Sequence, residues 1–247
     1  MLRCSGEVNP MFLFLFGSYN LILIAAAVIP AIFLLIKVYQ SDRLEKEPPR
    51  LILSLVGCGI LATIIAMIGE TVGGWLIKGI TNQMTYDLIL YFIIVAGFEE
   101  GAKYFFLRRR TWYNVNFNCQ YDAVLYAVAV SLGFALWENI SYVFSYGFGT
   151  ALVRAVTAIP GHACFGVFMG CWYGNAKRAD NFGYPEKCTL YSIMALVVPM
   201  LLHGTYDFIA TRAEDRYTWI FIAFVVIMFV ISFNLVKKLS DQDRYIV

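Results

Sequence analysis

Residues 51–80 read LILSLVGCGILATIIAMIGETVGGWLIKGI, thirty consecutive positions with two charged side chains, Glu70 and Lys78. A bilayer core is crossed by about 20 apolar residues of helix. In lipid each peptide N–H and C=O must be bonded within its own segment, so such a run is a helix and not an open strand. Six further runs of spanning length take the same reading, giving segments at 11–37, 51–80, 86–107, 121–145, 152–175, 189–210 and 218–237. The first is too long for a signal-peptide core and has no small-x-small cleavage site, so it is expected to stay in the mature protein. The expected fold is all-α: a polytopic bundle of about seven transmembrane helices in a single integral-membrane domain over 1–247.

Composition agrees. The 247 residues are 60% hydrophobic and 15% charged, with a mean hydropathy of +0.67; a soluble domain carries about a quarter charged residues. This excludes a disordered chain, a nucleic-acid binder built on basic patches and a secreted disulfide scaffold. Cys58, Cys164 and Cys171 lie in apolar runs, while Cys4, Cys119 and Cys188 lie near ends or in loops. None has metal-knuckle spacing, and all six read as reduced and structural.

Setting aside Lys103 and Arg154, which fall within or at the edge of spans, 17 of the 19 Lys and Arg remain. Thirteen lie in the first, third and fifth loops and the C-terminus, and four on the opposite side. The positive-inside bias therefore predicts an outside N-terminus and a cytoplasmic C-terminus, which an odd number of spans requires.

Against this apolar background Glu70, Glu99, Glu100, Lys103, Glu138 and Asp207 fall inside spans, together with His162 and His203, the only two histidines. A charge at a helix centre costs about 2.5–3.5 kcal/mol on insertion scales, so a cluster of such groups points to function before interhelical glue. Glu99 and Lys103 are i,i+4 and Glu100 and Lys103 are i,i+3, so the lysine can neutralise one glutamate and leave the other for chemistry. Gly97 and Gly101 flank the pair and are expected to admit a neighbouring helix. Glu138 shares a face with Phe134, and Asn139 is next in the chain. His162 heads a stripe of Gly166, Gly170 and Gly174, read as a packing face. Asp207, one turn after His203, is placed to orient that ring or to join it at a metal.

At 1.5 Å per residue these groups fall roughly 10–20 Å from the outer ends of their spans and can converge near the midplane. Two imidazoles with carboxylates in a dehydrated pocket are zinc-type ligation, with one position left for water and a glutamate beside it as base. Spacing alone does not choose between Glu99 and Glu100 as that base. No HExxH, GxSxG, GxGD or phosphate-binding loop occurs, which argues against zincin-like, serine and presenilin-like proteases and against nucleotide chemistry.

The ordered motifs EExxK (Glu99, Glu100, Lys103), FxxxEN (Phe134, Glu138, Asn139), HxxxG (His162, Gly166) and HxxYD (His203, Tyr206, Asp207) resemble the PrsW family. The DRLEKEP stretch with Asp42, Arg43, Glu47 and Pro48 is similar to that family's opening. The resemblance covers about residues 35–210, with the motif-bearing core at about 86–210. It implies a bacterial intramembrane endopeptidase of metallo- or glutamic type, distantly related to the type II CAAX prenyl proteases, in the cytoplasmic membrane. The implied substrate is a membrane-anchored protein, an anti-sigma factor cut at site one, with no nucleic acid as partner. By similarity to the CAAX proteases, Glu99 would activate water, Glu100 would pair with Lys103, and His162 and His203 would be the metal or water-positioning groups. Glu138 would be the third metal ligand, or would hold Asn139 as an oxyanion donor. A non-catalytic scaffold for transmembrane helices, and a proton- or cation-coupled transporter, are the competing readings. The transporter predicts internal repeats, and none is visible.

Overall fold

The computed structural model describes residues 10–212 and 214–246, with side chains from residue 20 onward. The expected outside N-terminal tail and Cys4 fall outside the described residues. Seven helical runs form the described part of the molecule, and among the described residues there is no strand. They are α1 (Pro10–Ser41), α2 (Pro49–Leu76), the composite run α3 (Gln83–Leu88), π segment (Ile89–Val95) and α4 (Ala96–Thr111), then α5 (Asp122–Tyr146), α6 (Phe148–Val156) with α7 (Ala158–Asn181), α8 (Pro185–Ala210) and α9 (Asp215–Asp241). Six are long and apolar enough to cross a membrane. The run containing α4 is broken into shorter pieces and carries Glu99, Glu100 and Lys103.

α5 is the central helix. It packs on α7, α2 and α1, and residues 121–135 are buried without exception. A helix apolar on all sides is one surrounded by others. The peripheral helices instead expose Leu, Ile, Phe and Trp outward, among them Leu53, Trp75, Trp219 and Phe233. That inverted surface suits lipid, where apolar side chains need no burial.

The glycine stripe does what its spacing suggests. A Cβ at Gly170 would lie 2.5 Å from Val124 Cα, so α7 touches the backbone of α5 there. Gly101 departs from expectation, since nothing lies within 4 Å of a Cβ placed on it. Its side of α4 meets no helix, and the close approach is made elsewhere.

The run expected at 152–175 is two helices. They join at Thr157 (φ −120°, ψ −70°). Pro160 has no N–H to give to the preceding turn, so the α-helical ladder cannot pass unbroken through this point. The five described cysteines are all free thiols.

Candidate active site

Four helices bring the buried ionisable groups to one point. On α4, Lys103 Nζ lies 3.2 Å from Glu99 Oε2 and 2.7 Å from Glu100 Oε1, the pairing its spacing requires. The ammonium also donates to His162 Nδ1 at 3.1 Å and sits 4.0 Å from the centre of the Phe134 ring. An ammonium has no acceptor, so His162 Nδ1 must accept and Nε2 carries the ring proton. That proton is given to Glu138 Oε2 at 2.8 Å.

On α8, His203 Nδ1 lies 2.9 Å from Glu100 Oε1, and Nε2 lies 3.4 Å from Asp207 Oδ2 one turn on. The two imidazoles stand edge to face at 5.2 Å, and Phe165 stacks on His203 at 4.7 Å. His162 thus turns Nδ1 toward Lys103 and His203 turns Nδ1 toward Glu100, both on α4, while each Nε2 meets a carboxylate, Glu138 or Asp207. Such carboxylates fix tautomer and ring orientation.

The ligand atoms of Glu99, Glu100, His162 and His203 all lie within 4.8 Å of one another. Two imidazoles and two carboxylates form a donor set that suits a zinc-like ion. Glu100 Oε2 is buried with no hydrogen-bond partner, an acceptor open to a cation. The point where three of these residues meet already holds the positive charge of Lys103. The residues fit a metal ion.

Glu138 stands outside that group of four. Its carboxylate meets His162 Nε2 at 2.8 Å and is held by Arg154 Nη2 at 3.0 Å, and the fourth member of the group is Glu100. Asn139 does not reach the site. Its Nδ2 donates to the Ala27 carbonyl at 3.1 Å, and its Oδ1 accepts from Arg154 Nε at 2.9 Å. Successive helix residues point about 100° apart, so the two neighbours face different helices, and Asn139 ties α5 to α1.

A cavity of about 520 Å³ opens beside the cluster. Glu99, His162, His203, Asp207 and Glu138 line it, and so do Glu70 and Arg154; Glu100 and Lys103 are not among its walls. Of the two adjacent glutamates, then, Glu99 faces the space and Glu100 lies behind it. Glu70 is a wall residue, and Arg154 pairs with Glu138. Spacing alone did not find Arg154. The available signal was an arginine beside an otherwise apolar run, too close to its edge to stand out.

The family model of the PrsW family intramembrane metalloproteases matches residues 47–235, which takes in every helix of the site. The chain belongs to the PrsW family. Protease PrsW of Oceanobacillus iheyensis is 32% identical over 222 residues, 89% of this chain and 97% of the relative. Protease PrsW of Bacillus subtilis is 32% identical over 221 residues, 87% and 93% of the two chains. Protease PrsW of Clostridioides difficile is 30% identical over 226 residues, 88% and 91%. No solved structure matches. As a PrsW protein the chain is a membrane-embedded protease, and its buried Glu and His groups lie in the helices that the family model covers.

Proposed function

We propose that this cavity hydrolyses a peptide bond of a membrane-anchored protein, with Glu99 as the base. One observation carries the reading: of the four clustered donors, Glu99, His162 and His203 border the cavity while Glu100 is sealed behind them with Lys103. A carboxylate beside a wet space can take a proton from water and then pass it to the leaving amine. Glu100 pairs with Lys103 away from the cavity. Glu138 and Asp207 hold the Nε2 edges of the two imidazoles at the cavity wall. The Arg154 guanidinium, anchored on Asn139 and Glu138, keeps Glu138 in place.

His162, His203 and Glu100 would hold the metal, and zinc fits their chemistry. Bound there, it would polarise the scissile carbonyl and lower the pKa of water. The apolar walls built by Phe134, Trp137 and Phe165 limit the water that reaches the bond. The substrate class that we assign is a membrane-anchored anti-sigma factor, cut near the outer side of the bacterial cytoplasmic membrane, with the N-terminus outside and the C-terminus cytoplasmic.

The test is cleavage of a single-span substrate by the purified protein in bilayers. Glu99→Gln should lower kcat by about 10²–10⁴-fold with metal content and unfolding midpoint retained. His203→Ala should lose both cleavage and metal. Cleavage retained in both variants overturns the assignment, and intact cleavage without metal shifts it to a glutamic mechanism.

A further inference from the structure

A second group of buried charge lies at the opposite end of α5 from Glu138. It is built from the DRLEKEP loop between α1 and α2, the first turn of α5 and the tail after α9. Asp42, Glu47 and Asp122 are 0%, 2% and 0% exposed. Both oxygens of Asp42, and Glu47 Oε2, Asp122 Oδ1 and Asp243 Oδ2, are buried with no hydrogen-bond partner. Asp42 feels Asp243 and Glu45, Glu47 feels Asp42, and Asp122 feels both loop carboxylates.

Two of the four are already aimed by the backbone. Asp122 Oδ2 accepts from the Asn118 and Cys119 N–H groups at 3.1 and 2.7 Å, and Asp243 Oδ1 accepts from Tyr121 N–H at 2.9 Å. In each the other oxygen is left free. The cation in reach of Asp42 is Lys46, whose three protons go to the carbonyls of Tyr39, Gln40 and Asp42 at the end of α1. Unpaired buried carboxylates are costly unless they are neutralised.

We propose that Asp42, Glu47, Asp122 and Asp243 bind a hard divalent cation, magnesium or calcium, which fastens the C-terminal tail to the bundle. The donors are carboxylate oxygens, and both histidines of the chain belong to the other site, so zinc-like ligation is not offered here. Sixteen residues of α5, about 24 Å, separate Asp122 from Glu138. The fastened element is the tail: Gln120 N–H donates to the Arg244 carbonyl at 3.0 Å and Ile246 N–H to the Asn118 carbonyl at 2.8 Å. Ile246 is itself buried.

The full-length protein, stripped with EDTA in detergent, is titrated with magnesium chloride or calcium chloride alone. Bound metal, the unfolding midpoint and carboxypeptidase trimming of the tail are monitored. One of the two ions should bind at about one equivalent, raise the midpoint and slow trimming. Asp42→Asn and Asp243→Asn should each weaken binding by about tenfold or more, while Glu100→Gln, at the proteolytic cluster, should leave it unchanged. If Asp122→Asn does not fold, those two loop and tail variants still decide. No binding by either ion, binding unaltered in both variants, or binding abolished by Glu100→Gln overturns the proposal.

Discussion

Lys103 shows how one residue sets the character of the site. It is fully buried and touches Glu99, Glu100 and His162 together. Removing one partner of a buried ionic group leaves the others uncompensated, at a cost of about 3–5 kcal/mol. Lys103→Met should therefore lower the unfolding midpoint of the metal-free protein sharply. Part of the loss should return when zinc is added, because a dication can replace the missing charge. A midpoint unchanged in metal-free buffer would show that Lys103 does not hold the cluster together. At this scale the sequence was informative where spacing alone decides: the i,i+3 and i,i+4 contacts of Lys103 come directly from helix geometry. It was uninformative about Glu138 against Glu100, because both are carboxylates at membrane depth and only packing sets which imidazole each one meets.

At the scale of elements, the contact of α5 with α7 controls the distance from Glu138 to His162. The glycine stripe lets the two helices meet backbone to backbone, and Gly170 has no room for a methyl group next to Val124. Gly170→Ala should destabilise by about 1–3 kcal/mol through overpacking and reduce cleavage as the Glu138–His162 bond lengthens. Thermal unfolding and kinetics on the single-span substrate check both effects, and a fully stable, fully active Gly170→Ala would remove the stripe's structural role. The π segment before α4 was not legible in sequence. Residues 89–95 read as apolar helix, and nothing in ILYFIIV marks a change of pitch. The π segment packs on α8, where a Cβ on Gly204 would lie 2.6 Å from the Phe92 ring. A π turn rotates the residues after it relative to a regular α-helix, so it helps set the direction in which Glu99 and Glu100 point.

For the whole molecule, the charge bias predicts that the end bearing the DRLEKEP loop and the tail lies in the cytoplasm. A fluorescent protein fused after Val247 should fluoresce, and alkaline phosphatase at the same point should be inactive; the reverse pattern would invert the topology. The sequence by itself determined the class of molecule, seven apolar runs, of which six are helices long and apolar enough to cross, and the residues whose charge is most costly in lipid. Those come from hydropathy and helix period, which are local and one-dimensional. The tertiary structure alone decided that Glu100 groups with Glu99 and both histidines while Glu138 meets His162 alone, that Asn139 ties α5 to α1, that Arg154 anchors Glu138, and that Glu99 is the glutamate facing the cavity. Each of these depends on which faces of separate helices meet. That is set by the packing of distant segments, and no spacing along a single helix encodes it.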